Sequence, residues 1–232
     1  MPELSLVITV FNEEENIRPL LAKIREDLGT ADYEVVLVDD GSTDKTVAQI
    51  REHMDDRVLL VELRKNYGQS TAMMAGIDHT SGKYVALLDG DLQNDPKDIP
   101  RLLEEISRGA DLVCGYRAKR RDTVVKKITS RVANFVRSRF VGDGVRDTGC
   151  TLKAMRRECA AALVPFKGVH RFIPALVKNA GYRIVEIPVN HRARQYGVSK
   201  YGLGNRAIKA TTDMLGVRWL QSRHIDYRVK QG

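Results

Sequence analysis

The amino-acid sequence predicts an α/β protein: a mostly parallel sheet with helices on both faces. Three observations carry that expectation. Through residue 115, short apolar runs alternate with amphipathic stretches of helical period, the pattern of successive β-α-β crossovers. The apolar runs are dense in Val, Ile and Leu with little polar alternation, as strands covered on both faces require. Each polar cluster of interest (Asn12-Glu13-Glu14, Asp39-Asp40, Lys65-Asn66 and Asp89 to Gln93) follows the end of such a run, where open parallel sheets bind their ligands.

In chain order, Leu4–Val10 reads as a strand and Glu13–Leu28 as a helix, with Glu13 and Glu15 as favourable first-turn residues. Tyr33–Val38 is a strand, and Thr43–Met54 is a helix with Ser42 or Thr43 as its N-cap. Arg57–Leu63 is a strand, Gly68–Thr80 a helix and Tyr84–Leu88 a strand. Asp95-Pro96 signals the start of a helix over Asp98–Arg108, and Ala110–Gly115 is a further strand. The pattern then loosens. Arg117–Asp122 is a basic loop, and Val124–Val141 reads as a helix with Lys126, Lys127, Arg131, Arg137 and Arg139 among apolar residues. Asp147–Met155 is read as a strand, Arg157–Leu163 and His170–Asn179 as helices, and Tyr182–Val189 as a strand. Arg192–Tyr201 is a polar loop, Asn205–Gln221 is amphipathic, and Arg223–Gly232 is a tail. With no repeat or low-complexity linker, residues 1–222 are expected to be one domain with halves 1–115 and 116–222, followed by the tail 223–232.

Bulk properties narrow the classes. A chain of 232 residues can bury a core without staples. Cys114, Cys150 and Cys159 show no paired metal spacing and leave an odd thiol, which fits small apolar packers in a reducing compartment. Met1–Val10 lacks a basic leader and runs into acidic residues, so no signal peptide is expected; no apolar window is long enough for a transmembrane helix. The net charge of +8 is divided unevenly. Residues 1–100 hold 10 Lys and Arg against 20 Asp and Glu; residues 101–232 hold 28 against 10. The basic part should be drawn to phosphate, in nucleic acid or on an anionic membrane surface.

Asp89-Gly90-Asp91-Leu92-Gln93 is the densest chemical signal. Two short carboxylates one residue apart at a strand end can reach one hard cation, and Mg2+ or Mn2+ commonly takes one or two carboxylates plus substrate phosphates. A cation so held can neutralise a departing diphosphate, which points to sugar transfer from a nucleotide sugar. The same stretch also fits a plain polar turn, and the rest of the chain decides between them.

Six ordered motifs carry a resemblance: Val10-Phe11-Asn12-Glu13, Val38-Asp39-Asp40-Gly41-Ser42-Thr43-Asp44, Asn66-Tyr67-Gly68-Gln69, Asp89-Gly90-Asp91-Leu92-Gln93, Asp147-Thr148-Gly149-Cys150, and Arg194 through Ser199-Lys200. Over about residues 4–220 the chain resembles family-2 glycosyltransferases of the GT-A fold. More narrowly, it is similar to the polyprenyl-phosphate glycosyltransferases, the group of dolichol-phosphate mannosyltransferase and the bacterial undecaprenyl-phosphate sugar transferases. The resemblance implies metal-dependent, inverting transfer from a nucleotide sugar to polyprenyl phosphate, for cell-envelope glycan or lipid modification. Asp147-Thr148-Gly149-Cys150 leans towards UDP-sugars over GDP-mannose.

Residue by residue, it implies that Asn12, Glu14, Asp39, Lys65 and Asp89 meet the nucleotide, and that Asp89, Asp91 and Gln93 hold Mg2+ or Mn2+, Asp91 foremost. Arg117, Arg131, Arg194, Ser199 and Lys200 would take the acceptor phosphate. Asp91, Asp147, Arg117 and Arg131 form the expected catalytic set. Asp147 is read as orienting the acceptor, positioning a basic side chain or acting as base; a phosphate acceptor, already ionised near neutral pH, needs little deprotonation. His170, His191 and Asp95 read as structural.

Many bacterial relatives carry a C-terminal pair of transmembrane helices, and none is read here. Peripheral attachment to the inner face of the cytoplasmic membrane is therefore expected. It would run through the basic surface, the 205–221 stretch with Leu215, Val217, Trp219 and Leu220, or a small membrane protein. Arg120, Arg121, Lys126 and Lys127 are expected to face the membrane, while Trp219 itself is expected to pack against the sheet. A second copy of the chain is kept as a partner. Two rivals remain: a GT-A transferase with a saccharide acceptor, which would not need the Arg set, and a nucleic-acid-binding protein. The second leaves the acidic part unexplained and shows no stacking motif, so no nucleic-acid partner is expected.

Overall fold

The structure is a computed structural model that describes residues 1–118, 137–193, 206–223 and 225, with backbone only over 206–210. Seven strands form one sheet: β1 Leu4–Val10, β2 Tyr33–Asp39, β3 Val58–Glu62, β4 Tyr84–Asp89, β5 Leu112–Arg117, β6 Lys153–Arg156 and β7 Ile184–Val189. Their order across the sheet is β3-β2-β1-β4-β6-β5-β7. All pairings are parallel except those of β6, which is antiparallel to both β4 and β5.

The central strands β1, β2 and β4 are largely apolar because both faces are covered. On one face Leu6, Ile8, Leu37, Ala86 and Leu88 pack under the helices α1 (Glu14–Leu28) and α4 (Ile99–Ser107), which contribute Ile17, Leu21, Ile24, Leu102 and Ile106. On the other, Val7, Val36, Val38, Val85 and Leu87 lie under α3 (Gln69–Asp78) and the helix Ile173–Asn179. Each such buried aliphatic side chain contributes about 1.5–3 kcal/mol. The helix α2 (Thr46–His53) packs beside α1, and Ile50 buries its apolar side. The three cysteines are free and buried. Among the described residues, no helix is long and apolar enough to cross a membrane.

Three departures from the sequence expectation stand out. α2 begins at Thr46, and neither Ser42 nor Thr43 caps it, because their polar groups bond across to the β1–α1 turn. Ser42 Oγ accepts from Asn12 N at 2.8 Å, and Thr43 N donates to Asn12 Oδ1 at 2.8 Å. The strand expected over Asp147–Met155 is confined to Lys153–Arg156, and the residues before it form a loop. Arg137, named in the sequence reading among the basic residues of the Val124–Val141 helix, is buried and pairs with buried Asp143. Trp219 does not pack against the sheet: in the helix Arg206–Ser222, Val217 is 1% exposed, whereas Leu215 and Trp219 are 58% and 61% exposed. The four-residue spacing sets Leu215 and Trp219 on one face and Val217 opposite, and Val217, buried among the described side chains of this helix, takes the core side. Most of the Val124–Val141 helix, including Lys126 and Lys127, lies outside the described residues, as do Arg120 and Arg121; 137–141 is helical.

α3 lies close on the sheet because Gly76 has no side chain. A Cβ there would stand 2.4 Å from Val7 Cγ1 and 2.9 Å from Val38 Cγ2. Gly76→Ala gains up to about 1 kcal/mol of helix propensity but forces α3 off two buried valines. A net loss of about 1–2 kcal/mol is expected, read as a lower urea midpoint at unchanged m-value.

Candidate active site

Parallel pairing of β2, β1 and β4 carries their C-terminal ends to one edge of the sheet, and β5 ends there too. The antiparallel β6 starts at that edge, so the loop before it arrives beside the ends of β4 and β5.

Asp39 closes β2 and is 2% exposed. Its Oδ2 accepts from Ser42 N at 2.9 Å, while Oδ1 is buried with no hydrogen-bond partner among the described residues. An orphaned buried carboxylate oxygen is costly unless a ligand supplies the donor. Asp40 serves the backbone: its two oxygens accept from Tyr67 N and Gly68 N, each at 2.8 Å, and pin the loop between β3 and α3. Burial raises the Asp40 pKa, and those two bonds oppose the rise. Lys65, in the same loop, is exposed with its ammonium 5.3 Å from the Tyr67 ring centroid. Asn12 and Glu14 follow β1 and bond to the turn before α2; Glu14 Oε2 accepts from Lys45 N at 2.9 Å.

At the end of β4, Asp89 accepts from Gln69 Nε2 at Oδ1, 2.9 Å, and from Thr151 Oγ1 at Oδ2, 2.5 Å. Asp89 as a residue is half-buried, but protein surrounds its carboxylate. Burial first, then the neighbouring Asp91, push its pKa up to about 6, against the pull of Thr151, Lys153 and Gln69. Gly90 is held tightly: a Cβ there would lie 2.3 Å from Val10 Cγ1. Asp91 is 7% exposed, and its Oδ1 accepts from Gln93 N at 3.1 Å. Leu92 takes φ of 61°, a costly conformation for a branched side chain that closes the turn. The chain after β7 crosses this turn: Arg192 N donates to Gln93 O at 2.9 Å, Gln93 Nε2 to Arg192 O at 3.4 Å, and Arg192 to Asp95 Oδ2 at 2.8 Å. His191 pairs with Asn94 there, and His170 Nδ1 lies 2.7 Å from Ser70 Oγ at the start of α3.

Arg117 ends β5 and is gripped by Asp147. Nε donates to Oδ2 at 2.7 Å and a terminal nitrogen to Oδ1 at 2.8 Å, the fork geometry that fixes a guanidinium plane. Lys153, 2% exposed, donates to the Cys150 carbonyl beneath the same loop.

The edge thus gathers Asn12, Asp39, Asp89, Asp91, Gln93, Arg117 and Asp147, while Glu14 is taken up by the α2 turn. Arg131, Arg194, Ser199 and Lys200 lie outside the described residues. Gln69, Thr151 and Lys153 carry no role of their own in the sequence reading, and the Asp39-Asp40 pair does not show there that Asp40 serves the backbone. Gln69 and Asp40 stand inside the quoted motifs and Thr151 directly after one, but Lys153, in the strand Lys153-Ala154-Met155-Arg156, gives no signal of its burial. Among the described residues, no cluster of three or more His, Cys, Asp or Glu converges on one point. Two carboxylates and the Gln93 amide suit a hard cation that keeps other positions for water and phosphate.

A mostly parallel sheet with one antiparallel strand beside an Asp-x-Asp turn is the GT-A arrangement. The model of "Glycosyl transferase family 2" matches residues 5–163, and the chain belongs to that family. It is 42% identical over 224 residues to dodecaprenyl-phosphate galacturonate synthase of Rhizobium johnstonii, covering 93% of this chain and 66% of that one. It is 41% identical over 204 residues to undecaprenyl-phosphate 4-deoxy-4-formamido-L-arabinose transferase of Edwardsiella ictaluri, covering 86% and 63%. The chain therefore spans just under two thirds of the length of these relatives. Among solved structures it resembles glucosyl-3-phosphoglycerate synthase of Mycobacterium tuberculosis in complex with Mg2+ and UDP, with TM-score 0.70 at 19% identity over 97% of this chain and 81% of that one. The same enzyme with Mn2+, UDP and glucosyl-3-phosphoglycerate gives 0.69 at 19% identity over the same shares. These structures share the fold.

The raised Asp89 pKa has a consequence for stability. An acid whose folded pKa, about 6, exceeds its ordinary 3.8 destabilises the fold when ionised. That cost is full above about pH 6 and is relieved as pH falls towards 4. Asp91→Asn removes the like charge and keeps an acceptor for Gln93 N. In EDTA the variant is expected to have a higher urea midpoint than wild type at pH 7.5, with the gap closing at pH 5.

Proposed function

We propose that this protein transfers a sugar from a nucleotide sugar, UDP-sugars before GDP-mannose, to the phosphate of a polyprenyl phosphate, with inversion and with Mg2+ or Mn2+ as cofactor. The observation that carries this reading is the order of groups along one sheet edge. Strand order sets Asp39 on β2, then Asn12 after β1, then Asp89 and Asp91 at β4, then Arg117 on β5. A nucleotide sugar laid along that edge meets acceptors for base and ribose first, the cation and diphosphate site second, and a guanidinium for a further phosphate last. The names of the relatives, a dodecaprenyl-phosphate and an undecaprenyl-phosphate sugar transferase, support the lipid acceptor. The fold relatives with UDP and Mg2+ or Mn2+ support the donor and cofactor.

Asp39 Oδ1 would accept from the base or ribose. Asp89, Asp91 and Gln93 would hold the cation, whose charge offsets that of the departing diphosphate. Arg117, aligned by Asp147, would take the acceptor phosphate together with Arg131, Arg194, Ser199 and Lys200. A phosphate oxygen attacks the anomeric carbon opposite the bond to the diphosphate. As the new C–O bond forms, the old one breaks, and the nucleoside diphosphate leaves with the electron pair. The acceptor phosphate carries its charge already, since its second ionisation lies near 6, so no side chain need remove a proton. Asp147 then orients Arg117. Residues 1–115 form the donor half and 116–222 the acceptor half.

A polyprenyl chain stays in its bilayer, so the protein must reach the surface. Exposed Leu215 and Trp219, flanked by exposed Arg218 and Arg223, form an amphipathic face suited to the anionic inner leaflet of the cytoplasmic membrane. Trp219→Asp is expected to reduce co-sedimentation with vesicles rich in anionic lipid and to leave nucleotide binding unchanged.

The function is tested by passage of radiolabelled sugar into the organic phase with undecaprenyl phosphate and a panel of UDP- and GDP-sugars. Label should move only with Mg2+ or Mn2+, and Asp91→Ala should slow it about 100-fold or more. Arg117→Ala should raise the KM for the lipid about tenfold or more at unchanged nucleotide affinity. Metal-dependent nucleotide binding with no transfer to lipid would reject the acceptor; no nucleotide binding at all would reject the whole reading.

A further inference from the structure

The antiparallel register between β4 and β6 pairs Tyr84 with Arg156 and Leu87 with Lys153. Carried two residues further, it sets Thr151 opposite Asp89, and the Thr151 hydroxyl donates to Asp89 Oδ2 at 2.5 Å. From the other side, Gln69, the first residue of α3, donates through Nε2 to Oδ1 at 2.9 Å. Thr151 is itself braced: Lys153, buried in β6, donates to the carbonyl of Cys150, and Cys150 N reaches the Asp147 carbonyl at 3.4 Å. One neutral donor on each oxygen, from two separate elements, leaves the carboxylate one orientation. An ionised carboxylate has about four lone-pair sites, so two remain for a cation, its water or a ribose hydroxyl.

We infer that Thr151 and Gln69 are positioning residues of the donor site, holding Asp89 in the single orientation in which it meets the cation. The inference rests on the proposed nucleotide-sugar reading. It also assigns a task to the loop before β6: Asp147 in it aligns Arg117, and Thr151, four residues further on, aligns Asp89. The acceptor arginine and the donor carboxylate are thus set by one short segment.

The test measures Mn2+ binding with UDP present, by the loss of the free Mn2+ electron paramagnetic resonance signal, and UDP binding in EDTA by calorimetry. Thr151→Val keeps the shape and removes the donor; Thr151→Ser keeps the donor; Gln69→Leu removes the other. Thr151→Val and Gln69→Leu are each expected to weaken Mn2+ about 10-fold or more, the usual cost of removing a group that orients a metal ligand. Thr151→Ser should remain within about twofold of wild type, as should UDP binding in EDTA for all three. A purely structural threonine would instead lower the melting temperature and both affinities together. Should Thr151→Val not fold, Gln69→Leu, on a different element, decides alone. Wild-type Mn2+ affinity in Thr151→Val and Gln69→Leu, or loss in Thr151→Ser equal to that in the valine variant, overturns the inference and leaves the nucleotide-sugar reading standing. Failure of wild type to bind Mn2+ with UDP overturns both.

Discussion

Parallel pairing of β1 with both β2 and β4 is the constraint on which the rest of the molecule depends. Strands that run the same way end at the same edge, and each must return through a crossover on one face or the other. The covering helices bury the sheet on both sides and leave the strand ends as the place where polar groups collect without opening the core. Asp39 and Asp89 therefore end the two strands that flank β1, opposite Val10 and Thr9, although they are 50 residues apart in the chain.

The same constraint concentrates negative charge. Asp39, Asp40, Asp89 and Asp91 lie close together at the ends of β2 and β4, and the protein answers each differently. Asp40 is satisfied by two backbone N–H groups, and Asp95 by Arg192. Asp147, across the edge, is satisfied by Arg117. Among the described residues, Asp39 keeps one oxygen without a donor, and Asp89 is hydrogen-bonded by two neutral side chains while Asp91 repels it and Lys153 draws it the other way. Neutralised carboxylates hold loops in place; the two left uncompensated are where a ligand has most to offer. The structure thus separates scaffold acids from site acids by their partners, a distinction that Asp39-Asp40 does not carry as a dipeptide.

Where the chain was read differently from what it forms, a tertiary demand overrode a local signal. Ser42 and Thr43 are good capping residues, yet they turn towards Asn12 and join two loops at the strand ends. Trp219 reads as core by residue type, but its helix reaches the core through Val217, and the opposite stripe with Leu215 is left exposed. The segment before β6 is too polar and glycine-containing to extend the strand, and its residues bond to Arg117 and Asp89 instead.

The sequence by itself determined the alternation of strands and helices, the apolar character of both sheet faces, and the acids at the strand ends. Periodicity and composition act over a few residues and can be read locally. It also carried the family, through ordered motifs along most of the chain. Only the tertiary structure decided that β6 runs antiparallel, that Thr151 and Gln69 meet at Asp89, that Asp147 grips Arg117, and that Trp219 faces outward. Those facts depend on contacts between residues as far apart as Tyr84 and Arg156, and strand direction within a sheet leaves no trace in local pattern. The energy that selects them comes from closing two buried apolar layers at once, a property of the whole sheet.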